Sequence, residues 1–185
     1  MPVAPKVTRS LDIPSEVKVR IKGITLTVEG PKGTLARNFS HPRISIKVTK
    51  NQVIVESNMP KKKESALVGT WEAHVSNMIT GVTKGFIYTM KVVYSHFPVK
   101  TVLKESELHI ENFLGESHPR KAKIVGDTKV EIKGDTITLT GINLEDVSQS
   151  CANIELATKI RSYDPRVFQD GIYMVEKGTM VEGGE

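Results

Sequence analysis

Two distant stretches of this chain run through the same order of patterns. "VTKNQVIVES", starting at Val48, and "IKGDTITLTG", starting at Ile132, each alternate apolar and polar residues on both sides of a polar turn. Alternation at period two is the mark of half-buried strands, and Lys50-Asn51-Gln52 and Lys133-Gly134-Asp135 are turn chemistry. Each hairpin then gives way to apolar residues at helical spacing. After the first come Leu67, Val68, Trp71, Val75, Met78 and Ile79; after the second come Val147, Cys151, Ile154, Ala157 and Ile160. A switch from period two to period 3.6, made twice, leaves few architectures open. The expectation is an α+β chain of two tandem duplicated units, each a mainly antiparallel β-sheet packed by one α-helix. A shorter echo, "HPR", occurs at His41-Pro42-Arg43 and again at His118-Pro119-Arg120.

Further alternating runs supply the remaining strands. Val17, Val19 and Ile21 interleave with Lys18, Arg20 and Lys22, and Ile24, Leu26 and Val28 follow, with Ile44, Ile46 and Val48 later in the first half. In the second half Phe86, Tyr88 and Met90, then Val99, Thr101 and Leu103, then Leu108 and Ile110 repeat the theme, and Ile124 continues the series. Gly81 stands where a helix C-cap glycine is expected, and Asn143 and Asp146 where N-terminal capping oxygens and favourable charge are. The predicted domains are 1–82, 83–178 and a glycine- and glutamate-rich tail, 179–185, expected to be mobile.

"VEGPKGTL", Val28 to Leu35, packs two glycines, a proline and a lysine together. A glycine-rich loop can aim backbone N–H groups at a phosphate, but a Walker segment runs from a strand into a helix and ends Gly-Lys-Ser/Thr. Here strand-like residues lie on both sides, so the expectation is a hairpin turn, with Pro31 presetting φ and Gly33 free to take positive φ.

No catalytic constellation emerges. The histidines, at positions 41, 74, 96, 109 and 118, lack the short spacing of a metal motif. The lone cysteine, Cys151, lies on the apolar helix face and reads as a core thiol. Glu105, Glu107 and Glu111 read as a solvated strand face, and there is no Gly-x-Ser-x-Gly elbow. The chain is expected to be no enzyme and to need no cofactor or metal.

Charge carries more. The formal net charge is +5 and the isoelectric point about 9.2, a balance that favours a polyanionic partner. The first residues lack the apolar run of a signal peptide, and no stretch approaches the roughly 18 apolar residues of a membrane span. An intracellular, cytoplasmic chain with no membrane partner is expected. Lys61-Lys62-Lys63 reads as a solvated face. The denser set lies late in the chain: Arg120, Lys121 and Lys123 around a His-Pro turn, and Lys159, Arg161 and Arg166 after the second helix. Tyr163 is interleaved with them and Lys177 follows; Phe168 and Tyr173 read as core aromatics. Guanidinium forks grip phosphates and rings stack on unpaired bases, so these eight residues are the candidate RNA site. Asp164 and Asp170 would order the loop, since carboxylates repel phosphates. A protein–protein adaptor with exposed sheet edges is the rival reading.

At "RSYDPRVFQDGIYMVEKG", Arg161 to Gly178, the chain closely resembles the C-terminal signature of the universal large-subunit ribosomal protein L-six family. "MKVVYSHFP" (Met90 to Pro98), "NFLGE" (Asn112 to Glu116) and "VEGPKGTL" are similar to the same family, in its archaeal and eukaryotic branch. The resemblance runs from about Ile13 to Gly178. It implies two copies of one α+β unit in a non-catalytic protein that binds large-subunit (23S-type) rRNA mainly through its second unit. It further implies a place near the stalk base and the sarcin–ricin loop, beside neighbouring large-subunit proteins and docking translational GTPases. Bacterial members carry a lysine- and glycine-rich segment where this chain has Arg161 to Arg166, so individual contacts do not carry over from them.

Overall fold

Seven elements of the first half recur in the second in the same order. In a computed structural model describing residues 6–49, 51–161, 163–164 and 166–180, the chain divides into two units, Met1–Lys84 and Gly85–Glu185. Unit 1 holds β1 (Lys6–Asp12), β2 (Lys18–Lys22), β3 (Thr25–Gly30), β4 (Gly33–Asn38), β5 (Ile44–Val48), β6 (Gln52–Asn58) and α1 (Lys62–Thr83). Unit 2 holds β7 (Phe86–Val93), β8 (Lys100–Lys104), β9 (Glu107–Glu111), β10 (Arg120–Lys123), β11 (Lys129–Lys133), β12 (Thr136–Gly141), α2 (Leu144–Ala157) and a further strand, β13 (Gly171–Thr179). The chain is thus a tandem duplication of one α+β unit.

The strands of each unit form two small antiparallel sheets rather than one. In unit 1 the orders are β1-β6-β5 and β2-β3-β4; in unit 2 they are β11-β12-β7-β13 and β10-β9-β8. The second copy differs by having β13 on the outer edge of β7. The sequence reading lacked β1 and β13. Both are edge strands with sparse apolar alternation, so little in their own residues announces them.

Each core lies between the two sheets and the helix of its unit. In unit 1, Leu26, Val28, Val53 and Val55 meet Val68, Trp71 and Val75. Trp71 is a core anchor, its ring edge-on to Phe39 at 5.2 Å. In unit 2, Met90, Leu108, Ile110, Ile137 and Leu139 meet Val147, Cys151 and Ile154.

The helix ends show where local signals were overridden. Asn143 caps α2 as expected, its side chain accepting from the Glu145 N–H. Gly81, however, is a buried interior residue of α1; the helix runs to Thr83, and Gly85 takes the left-handed conformation at φ 73°. The C-terminal carbonyls of α1 find donors on another element, described below, so the helix does not need to stop at Gly81. Ile160, read with the second helix, lies beyond its end. The two "HPR" strings are not equivalent either: one precedes β5, the other runs into β10. The tail expected from 179 begins within β13, and its residues 181–185 lie outside the described residues.

Candidate nucleic-acid interface

"VEGPKGTL" is the β3–β4 hairpin. Gly30 pairs with Gly33, leaving Pro31 and Lys32 as a two-residue tip. The tip sits on the end of α1. The Lys32 N–H donates to Val82 O at 3.0 Å, and Lys32 Nζ donates to Lys84 O at 2.6 Å. These donors satisfy carbonyls that the end of α1 leaves unpaired, and the cation faces the negative end of the helix dipole. A Cβ on Gly30 would fall 2.6 Å from Val82 Cγ2 and 2.8 Å from Val82 O, so this close approach requires glycine. The loop is spent on the helix and is no anion cradle.

The equivalent connection in unit 2 joins β9 to β10 and does the same work with a longer loop. Arg120, first residue of β10, donates from Nη1 to Ala157 O (3.0 Å) and Lys159 O (3.1 Å) at the end of α2. Its Nε and Nη2 grip Glu116 at 2.8 and 2.6 Å, and its guanidinium lies 4.3 Å from the centre of the Phe113 ring. The Arg120 hydrogen bonds hold the Glu116 carboxyl below the usual carboxylate range. In each unit a cation from this connection therefore seals the C-terminus of the helix.

Strand alternation separates Arg120 from its neighbours. Arg120 and Ala122 pair with Ile110 and Leu108, which are buried on the core face. Lys121 and Lys123 pair with His109 and Glu107 and take the opposite face, both exposed. Lys121 Nζ stands 3.7 Å from Glu107. Across the sheet, Lys100 and Lys104 pair with Glu111 and Glu107, so they share this outer face. Period-two spacing in β8 was the available signal for those two lysines.

The segment after α2 is held at several points. Lys159 and Arg161 follow the capping residue Thr158, whose hydroxyl accepts from the Ile172 N–H at 3.2 Å. Asp164 builds a turn: its Oδ1 accepts from the Arg166 N–H at 2.9 Å, and its carbonyl accepts from Val167 and Phe168. Phe168 stacks on His96 at 4.6 Å, and Tyr163 leans on Phe168 at 4.8 Å. Asp170 is buried, accepts from the Ser95 N–H at 3.2 Å and faces His96 Nδ1 at 3.6 Å. Both aspartates order the loop. Lys159, Arg161, Tyr163 and Arg166 are exposed on it. Tyr173, read as core, is exposed at the start of β13, its hydroxyl donating to Gln169 O. Lys177 lies further along β13, opposite Tyr88, away from the end where Ile172 meets Thr158.

Cys151 is buried, and desolvation pushes its thiol up to about 11. Among the described residues no three His, Cys, Asp or Glu side chains gather as metal ligands, and no helix is long and apolar enough to cross a membrane.

A duplicated α+β scaffold whose helix ends are sealed by cations, with further cations exposed after α2, defines a structural protein with a basic surface. The sequence model of the family Ribosomal protein L6 matches the chain twice, over residues 13–85 and 97–171, once in each unit. The chain is 50% identical over 177 residues to Large ribosomal subunit protein uL6 of Methanobrevibacter smithii, covering 96% of this chain and 99% of that one. The protein of the same name from Methanococcus vannielii is 43% identical over 181 residues, covering 98% and 100%, and that of Archaeoglobus fulgidus is 48% identical over 174, covering 91% and 89%. The chain belongs to the ribosomal protein L6 family, in its archaeal-type branch. It is a structural protein and not an enzyme.

Proposed function

We propose that this chain is a structural constituent of the large ribosomal subunit, in the cytoplasm, that binds and stabilises 23S-type rRNA mainly through unit 2. The full-length match to relatives named as large-subunit proteins supports the assembly. The observation that carries the RNA surface is the ordered segment after α2. A turn, stacked rings and a buried aspartate fix backbone beside Lys159, Arg161 and Arg166 before any partner arrives. Less backbone entropy is then lost when these side chains meet phosphates. Tyr163 offers a ring face to an unpaired base. Lys121 and Lys123 form a second phosphate-facing patch on the outer face of their sheet, and Lys177 flanks the site along β13. Arg120, with its donors committed within the protein, acts by positioning the chain at Lys159. The site near the stalk base and sarcin–ricin loop, with neighbouring proteins and translational GTPases close by, belongs to the same reading.

The test is binding of the Arg161→Ala/Arg166→Ala protein to a large-subunit rRNA fragment across a salt series. Each lost phosphate contact should lower the slope of log affinity against log salt by about one. An unchanged affinity and slope removes both arginines from the surface.

A further inference from the structure

The two copies of the fold differ at one edge. In unit 2 the outer side of β7 is occupied by β13, antiparallel to it. In unit 1 the equivalent strand is β1, and among the described residues nothing pairs with its outer side. The equivalence is exact in register: Val92 donates to Asp135 O and Ile13 to Asn51 O, each to the turn of its own hairpin. Leu11 thus corresponds to Met90 and Ile13 to Val92. Under β13, Met90 and Val92 are closed off, at 0% and 4% exposure, opposite Met174 and Ile172. Leu11 and Ile13 pack on the unit 1 core but stay partly exposed. Because Ile13 turns its N–H toward the β6 side, alternation directs the N–H and C=O of Thr8, Ser10 and Asp12 outward.

We propose that the outer edge of β1 receives an extended strand of another polypeptide of the large subunit, antiparallel, taking the place that β13 takes on β7. Its chemistry follows from the edge. Residues opposite Leu11 and Ile13 are apolar, as Met174 and Ile172 are in unit 2. The residue opposite Arg9 is acidic: Arg9 lies on the core-side row between Val7 and Leu11, its side chain is 60% exposed, and among the described residues it makes a loose ion pair to Glu72, at 3.7 Å. Main-chain hydrogen bonds supply affinity and these alternate side chains supply selectivity. The surface lies in unit 1 and does not rest on the RNA reading of unit 2.

The test is a photoreactive side chain placed at Thr8 in the full-length chain, followed by irradiation of assembled large subunits and identification of the crosslinked peptide. A single peptide of another subunit protein, with apolar residues at two alternate positions and an acidic residue at the next position of the same alternation, is expected. The amides of Thr8, Ser10 and Asp12 should also exchange more slowly in the subunit than in the free chain. Ser10→Pro deletes one outward N–H while leaving the β6 ladder intact, and Arg9→Glu reverses the charge complement. Each should cut crosslinking about tenfold, the factor that one interaction of ordinary strength represents, while the free Ser10→Pro chain unfolds as before. Crosslinks to nucleotides alone or to a second copy of this chain, or unaltered amide exchange on assembly, would overturn the proposal.

Discussion

Arg120 grips Glu116 through two hydrogen bonds, Nε to Oε2 at 2.8 Å and Nη2 to Oε1 at 2.6 Å, and spends a third nitrogen on the carbonyls of Ala157 and Lys159. One side chain thereby joins the β9–β10 connection to the end of α2. Arg120→Ala should destabilise the protein by about 2–3 kcal/mol, measured by urea unfolding, since charge-assisted bonds to partly buried acceptors are lost together. Arg120→Lys should recover only part, because an ammonium cannot reproduce the planar fork. In RNA binding Arg120→Ala should weaken affinity without lowering the salt slope, which separates positioning from phosphate contact.

In unit 1 the corresponding seal depends on glycine. Gly30→Ala forces a Cβ into Val82, including its backbone oxygen at 2.8 Å, and should lower stability by about 1–3 kcal/mol. Lys32→Met removes only the side-chain bond to Lys84 O and should cost less, about 1 kcal/mol. Equal thermal shifts for the two variants would contradict this account of the hairpin tip.

Glu56 sits between Lys47 and Lys6, whose hydrogen bonds lower its carboxyl to about 2. A carboxyl depressed in the folded state binds protons more readily when unfolded. Its stabilisation is therefore present above the ordinary carboxylate range and is lost as pH falls toward 2. Glu56→Gln should flatten the acid limb of the stability profile, and a carbon-13 NMR titration should place the Glu56 midpoint well below those of solvent-exposed glutamates.

Burial of Cys151 predicts an inert thiol in the native protein. At pH 8 a thiol reagent such as DTNB should react only as fast as the chain opens, and adding urea should release the full equivalent. Rapid stoichiometric reaction of the folded protein would show that the helix face is not closed over it.

Much of the scaffold was legible because its signals are local. Both hairpins, both helices and the Asn143 cap come from periodicity and capping chemistry within a few residues. The hairpin nature of "VEGPKGTL" was legible from its flanks, but its purpose was not. Val82 and Lys84 lie about fifty residues further along, and only packing brings them to Lys32. That Asp164 and Asp170 order the loop rather than touch phosphates was readable from their charge, but the partner of Asp170, Ser95, lies seventy-five residues earlier in the chain.

By itself the sequence determined the duplication, the α+β class, the family and a basic surface late in the chain, because periodicity, composition and motif identity are carried by neighbouring residues. Only the tertiary structure decided which face each cation takes. Arg120, Lys121 and Lys123 read as one cluster, yet a strand turns successive side chains to opposite faces, and the core-side one met the orphaned carbonyls of α2. It also decided the edges: β1 and β13 owe their pairing to strands far along the chain. Pairing energy of that kind belongs to register between distant segments, which no local pattern records.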